Sequence, residues 1–221
     1  MVDSYTVYWS RDRVNALKLL PGSAVPFSLL FGGPHTSQPS FVRAGALVGD
    51  WLYPISVVRG RLQVLGRIKV RQIGPVDDVV PKEFLTHSKH SNDKWIAECG
   101  WPERVFYKAL CVTCTDEVVL GEDGSGPVLD LYLNESAVRN LRYRNKRSER
   151  VPKGIETGKV TSPLAHQGIY RLAERSAEMF ADIVNRRHAS PYSGEHRPER
   201  KLEETAKNEN EAQGSLFAAG S

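Results

Sequence analysis

Apolar and polar residues alternate most regularly between Gly49 and Val70. An apolar run, Trp51–Val58, is followed by Arg59-Gly60 and then by Arg61–Val70. In the second run Leu62, Val64, Ile68 and Val70 alternate with Arg61, Gln63, Arg67 and Lys69. A period of two predicts a half-buried strand with a basic outer face, and the pair predicts a hairpin. Gly66 inside the return strand suits a bulge or a close backbone approach.

Other elements are read the same way. Tyr5–Trp9 predicts a strand. Ser10 predicts a cap for a helix over Arg11–Leu20, with Val14, Leu17 and Leu20 on one face and Pro21-Gly22 as its stop. Residues 21–46 are rich in Gly, Pro and Ser, with apolar Phe27–Phe31 between them, and Gly32–Ser37 reads as an exposed loop. Residues 74–103 read as a polar connection. Strands are expected at Arg104–Thr113, Glu117–Leu120 and Val128–Leu133, the last two joined by the turn Gly121–Gly126. Asn134 predicts a cap for a helix to Leu141. A final helix is expected over Ile169–Arg187, with Leu172, Ala173, Ser176, Met179, Phe180, Ile183 and Val184 on its apolar face. That order predicts an α+β fold: a small curved mixed sheet with flanking helices.

Charge adds to this picture. The chain carries 30 Lys+Arg against 26 Asp+Glu, a net of +4. From Ala189 onward six acids oppose four bases, so the preceding body carries +6. The last segment is polar and poor in β-branched residues, which predicts a disordered tail over 189–221, with a short helix near Lys201–Lys207 and a candidate docking pair, Leu216-Phe217. No apolar run approaches the roughly 20 residues that span a bilayer, and no secretory leader is visible. Three cysteines in 221 residues point to free thiols and a reducing compartment, hence a cytoplasmic expectation.

Four constellations carry candidate chemistry. Between Arg139 and Lys153 seven bases (Arg139, Arg142, Arg144, Lys146, Arg147, Arg150 and Lys153) surround one acid, Glu149. Such density attracts phosphates, or serves only to keep a loop solvated. Trp9, Trp51, Trp95 and Trp101 offer flat faces for a base, or pack in a core. His87, His90, Cys99, Cys111 and Cys114 have zinc-ligand chemistry, but Cys111 and Cys114 fall on an expected strand, where i and i+3 point apart. Buried thiols are the simpler reading, and no metal site is expected. Finally, the sequence has no nucleophile elbow, P-loop or dinucleotide glycine fingerprint. His35, Asp116, Glu117 and Asp130 are the remaining acid–base or metal-binding candidates, and no catalytic group or cofactor is assigned.

The first strand, its helix, Gly49-Asp50 before an aromatic strand, and the returning Leu65-Gly66-Arg67-Ile68-Lys69-Val70 resemble the PUA-like superfamily of EVE, ASCH and YTH domains. The resemblance covers about 1–75, and 104–133 by strand order. It implies a small curved β-barrel over 1–150, followed by a linker and C-terminal helix over 151–188. It further implies a surface for RNA or modified bases. Carried over, Trp9, Ser10 and Trp51 would bind a base. Trp95 and Trp101 are added from the polar connection. Arg67, Lys69, Arg139, Arg142, Arg144, Lys146, Arg147 and Arg150 would hold phosphates. The chain departs from the family in the length of 21–46, in lacking the G-x-K-x-x-E-x-R signature of ASCH domains, and in its C-terminal extension. The expected partner is DNA or RNA. A small nuclease or nucleotide-processing enzyme, and a protein-interaction subunit of a larger assembly docking through the C-terminal helix or tail, are the alternatives.

Overall fold

Eight residues, Trp51–Val58, form the strand around which the sheet is organised. In the computed structural model, which describes residues 2–18, 26–33, 39–82, 95–96, 115–145 and 147–189, it is the third strand, β3. Before it come β1 (Ser4–Tyr8), α1 (Arg11–Leu17), β2 (Leu29–Gly32) and α2 (Phe41–Ala44). After it come β4 (Arg61–Val64), β5 (Ile68–Pro75), α3 (Val76–Val79), β6 (Glu117–Glu122) and α4 (Glu135–Asn140). The series ends with β7 (Tyr143–Arg144), β8 (Glu149–Arg150), a 3-10 turn (Pro163–His166), β9 (Ile169–Arg171) and α5 (Glu174–Ala189).

The sheet runs β2-β6-β5-β3-β1-β9, with β4 on the free half of β3. Among the described residues only β1 and β3 are parallel; the other pairings are antiparallel. The architecture is therefore mixed α+β. Among the described residues no ladder joins edge strands β2 and β9 into a closed ring.

Alternation along the strands sorts side chains into two cores. Tyr5, Val7, Trp9, Leu52, Ile68 and Val70 join one cluster with Phe27, Leu29, Phe31 and Trp95. Tyr53, Ile55, Leu62 and Val64 join the other with Tyr143, Leu172, Phe180 and Val184. Adjacent residues such as Leu52 and Tyr53 go to opposite cores because successive strand side chains point to opposite faces.

The hairpin expected at Arg59-Gly60 is present. Both residues have positive φ, 51° and 74°, as a two-residue turn matched to strand twist requires. The return strand is broken at Gly66 (φ 145°), whose Cβ would lie 2.6 Å from Ser125 Oγ and 2.8 Å from the Phe27 ring. β4 therefore stays on the Ile55–Val58 half of β3, and β5 leaves to pair Ile68 and Lys69 with Leu52 and Trp51. Gly49-Asp50 has a defined task. Gly49 turns the chain at φ 93°. The buried Asp50 carboxylate accepts from Asp3 N and Leu47 N, each at 2.8 Å, tying β1 to the start of β3.

Several expected elements differ. Ile169–Arg171 is a strand, so the last helix starts at Glu174 rather than Ile169. Gly168 (φ 145°) starts the change of path, and the open edge of β1 supplies the ladder partners. Val128–Leu133 runs beside β4 with a bend at Leu129-Asp130 and forms only one bridge, Tyr132 to Gln63. Bonds from Val64 N to Leu131 O and from Leu133 N to Leu62 O hold it there. Ser10 occupies the N-cap position of α1, but its side chain makes no capping bond. α4 is capped as expected, with Asn134 Oδ1 accepting from Ala137 N at 2.8 Å.

The chain divides into two units, Met1–Ala189 and Ser190–Ser221. The second, with the tail, Lys201–Lys207 and Leu216-Phe217, lies outside the described residues, as do Arg104–Thr113, His35, His87, His90, Cys99, Trp101, Cys111, Cys114 and Lys146.

Candidate nucleic-acid interface

The basic stretch from Arg139 to Lys153 is organised structure rather than a loose linker. Tyr143–Arg144 and Glu149–Arg150 pair as a two-stranded ribbon. Asn145 closes its tip: its backbone N donates to Ser148 O, and its Oδ1 accepts from Arg147 N and Ser148 N at 2.8 and 2.7 Å. A bridge from Tyr143 to Leu172 attaches the ribbon beside β9.

Its cations have different surroundings. Arg139 is held by Glu135 and Thr157 O, at 3.3 and 3.0 Å. Arg142 Nη1 donates to Arg139 O and Leu141 O, both at 2.8 Å, which fastens it to the end of α4. Arg144 and Arg147 are exposed at the tip, and among the described residues neither pairs with a carboxylate. Arg150 lies 4.9 Å from the ring centre of Tyr170 and 5.7 Å from that of Tyr143. Those two rings are stacked, 4.8 Å apart and inclined by 24°.

Beneath this stack is a sealed polar pair. Tyr143 Oη sits 2.9 Å from His166 Nδ1, and both side chains are buried. His166 Nε2 has no partner among the described residues. Burial first, and then the charge of Arg150, holds this imidazole down at about 4, so it is neutral in the folded protein. Burial pushes the Tyr143 phenol well above its usual range.

The second aromatic–cation pair is on β3. Arg67 lies 4.5 Å above the Trp51 ring, and Trp51 is only half-buried. The charges of Arg67 and Arg187 help lower the His188 pKa, behind the larger effect of burial, which places the end of α5 near this pair. Arg187 itself is bound to Asp130 at 2.6 Å. Lys69, by contrast, is neutralised. Its ammonium lies 3.3 Å from Glu122 and 3.6 Å from Asp123, and hydrogen bonding to Glu122 raises its pKa.

Strand register relates the two pairs. Trp51 is beside Ser4, Ser4 O accepts from Leu172 N, Leu172 bridges Tyr143, and Tyr143 faces Arg150. Four strand spacings along this path separate the two backbones, and the Arg150 side chain reaches back over Tyr170 of β9. Both aromatic–cation pairs pack against the same core, the one that contains Phe180 and Val184.

Trp9 and Trp95 belong to the opposite core. Trp9 is 1% exposed and meets Phe27 edge-on at 5.5 Å, with Arg13 5.9 Å from its centre. Trp95 is 5% exposed, meets Phe31 edge-on at 6.2 Å, and lines a cleft of about 380 Å³ with Ser28, Arg71, Val79, Pro81, Leu120 and Gly121. Arg71 is a residue that alternation alone did not single out. The tell-tale sign was Arg71-Gln72, two consecutive polar residues that interrupt the apolar phase of the strand.

Among solved structures, the chain is similar to a crystal structure of a mutant ZmASCH protein from Zymomonas mobilis. The two are 12% identical, with 70% of this chain and 91% of that chain covered and a TM-score of 0.30. The resemblance is to an ASCH-type protein. No family model and no curated protein matches the chain.

Of the other candidate groups, Glu117 and Asp130 have structural tasks, Asp130 as the partner of Arg187. Glu117 accepts from Phe41 N at 2.7 Å and Val42 N at 3.2 Å, and from the Ser40 hydroxyl, so its carboxylate anchors the start of α2. Among the described residues no three His, Cys, Asp or Glu side chains cluster to hold a metal ion. No described helix is long and apolar enough to cross a membrane. Ser176, Phe180 and Val184 of α5 are buried against the sheet, so that stripe is already covered within the chain.

Proposed function

We propose that the protein binds a nucleic-acid strand, DNA or RNA, without turning it over. The β7–β8 ribbon grips phosphates and the Trp51–Arg67 pair stacks on a base. The observation that carries this reading is the ribbon tip, where Arg144 and Arg147 are exposed and free of carboxylates among the described residues. A guanidinium fork matches phosphate oxygens in pairs, and each neutralised phosphate releases counterions. Arg150 and Arg67, each over an aromatic ring, extend the cationic surface along one side of the sheet. Of the residues expected to read a base, Trp51 has an accessible ring. Trp9 and Trp95 are held in the core, Ser10 is exposed at the start of α1, and Trp101 lies outside the described residues.

The test is retention of labelled single-stranded DNA and RNA by the full chain across a salt series. Arg144→Ala with Arg147→Ala should flatten the dependence of log affinity on log salt by about 1.5, the release expected from two lost phosphate contacts. A double variant with the wild-type slope and affinity sinks the reading. So does a wild-type chain that retains neither polymer at low salt.

A further inference from the structure

We propose that the cleft between β5, β6 and Trp95 is a binding site for a nucleoside monophosphate unit, with Arg71 on its phosphate and Trp95 against its base. The choice of a nucleotide rests on the nucleic-acid reading above; the existence of an anion site rests on local geometry.

That geometry begins with a bulge. Along the β5–β6 ladder Val70 is opposite Gly121 and Gln72 is opposite Leu120, which leaves Arg71 as the extra residue. Inward positions of β5 are Ile68 and Val70, then Ile73, so the inserted residue shifts the inward phase by one. Arg71 and Gln72 are consequently both exposed in mid-strand. Bulges re-aim side chains in this way and are concentrated beside functional sites. Here the side chain that is re-aimed is a guanidinium, and it lines the cleft.

The walls suit a flat anion. Trp95, Val79, Pro81 and Leu120 supply apolar surface, Ser28 and Gly121 are joined beside them by the bond from Gly121 N to Ser28 O, and among the described residues Arg71 is the one charged group of the lining. Among the described residues no carboxylate lines the cleft and Arg71 has no ion pair. A cation beside an indole in a cavity of about 380 Å³ fits a planar ring carrying an anionic group. Gly121 fixes the close approach of the two strands: a Cβ there would lie 2.0 Å from Ile68 Cγ1. The site therefore sits on a tightly joined strand pair.

The experiment titrates the full chain with the four nucleoside 5′-monophosphates, the matching nucleosides and inorganic phosphate, followed by calorimetry and tryptophan fluorescence. At least one monophosphate should bind saturably, and its nucleoside and inorganic phosphate should each bind at least about tenfold more weakly. Arg71→Ala, at an exposed position, should keep the thermal midpoint and weaken the monophosphate at least about tenfold. Trp95→Phe should retain most of the binding and lose the fluorescence response. Competition by a 5′-phosphorylated dinucleotide assigns the site to a strand end, and its absence assigns the site to the free nucleotide. The proposal is overturned by a wild-type chain that binds no monophosphate, or by equal affinities in wild type and Arg71→Ala. The two readings fail separately. If the wild type retains polymer but binds no monophosphate, the ribbon reading stands and the cleft falls. If Arg144→Ala with Arg147→Ala leaves polymer retention unchanged while Arg71→Ala loses the monophosphate, the reverse holds.

Discussion

The guanidinium of Arg67 lies 4.5 Å above the centre of the Trp51 indole, while Lys69, two residues on, is taken by Glu122 and Asp123. Two cations of one basic segment thus have different surroundings. Arg67 follows the Gly66 break and reaches the ring. Lys69 is directly across from Glu122 in the β5–β6 ladder, a register that pairs opposite charges.

Replacing Trp51 by alanine should weaken single-strand binding by about 5- to 100-fold, the range for losing one base–aromatic stack. The comparison uses Arg67→Ala, which removes the cation and leaves the ring. Filter retention at fixed salt reads both. Wild-type affinity in Trp51→Ala would exclude this ring from the interface.

Lys69→Ala should leave nucleic-acid affinity and its salt slope near wild type, because the charge is already offset by two carboxylates. Glu122→Gln should tighten binding slightly by releasing it. A loss of slope in Lys69→Ala equal to that of a ribbon arginine would show that the ion pair opens on binding.

His166 makes stability depend on pH. The folded imidazole titrates at about 4, below its ordinary value of about 6.5, because burial disfavours the charged form. Between those values the unfolded chain binds the extra proton, so stability falls as pH drops from 6.5 toward 4. The full difference is of order 3 kcal/mol. Urea unfolding at several pH values should show this loss in wild type, and His166→Gln should flatten it. An unchanged pH profile in His166→Gln would assign the loss to other groups.

Glu117→Ala should destabilise the fold by about 1–3 kcal/mol, since it leaves the Phe41 and Val42 amides without their carboxylate. Nucleic-acid retention by the folded fraction should remain. Urea unfolding measures the first effect and salt-series binding the second. Loss of binding without loss of stability would move Glu117 from the helix anchor to the interface.

Asp50→Ala should be at least as costly, about 1–3 kcal/mol, because a buried carboxylate accepting two backbone amides is removed from the joint between β1 and β3. The unfolding midpoint in urea reads it directly. A midpoint within error of wild type would show that water replaces both bonds at no cost.

The sequence by itself determined the parts whose cause is local. Alternation of small sets such as Leu62, Val64, Ile68 and Val70 predicts strands because adjacent side chains must face opposite ways. Arg59-Gly60 predicts the tight turn, Asn134 the helix cap, and Gly66 the close approach. Density of charge marked the segment from Arg139 to Lys153. Tertiary structure decided what depends on distant partners. Ile169–Arg171 has an apolar pattern that suits a helix, yet the unpaired edge of β1 makes it a strand. Glu117 serves Phe41 across 76 positions of sequence, and Arg71 acquires its direction from a bulge defined only against β6. Trp9 directly follows β1 and Trp51 opens β3, but the assembled sheet sends one into the core and leaves the other half-exposed under Arg67. Periodicity fixes which faces a strand offers, and only the assembled sheet fixes what meets each face.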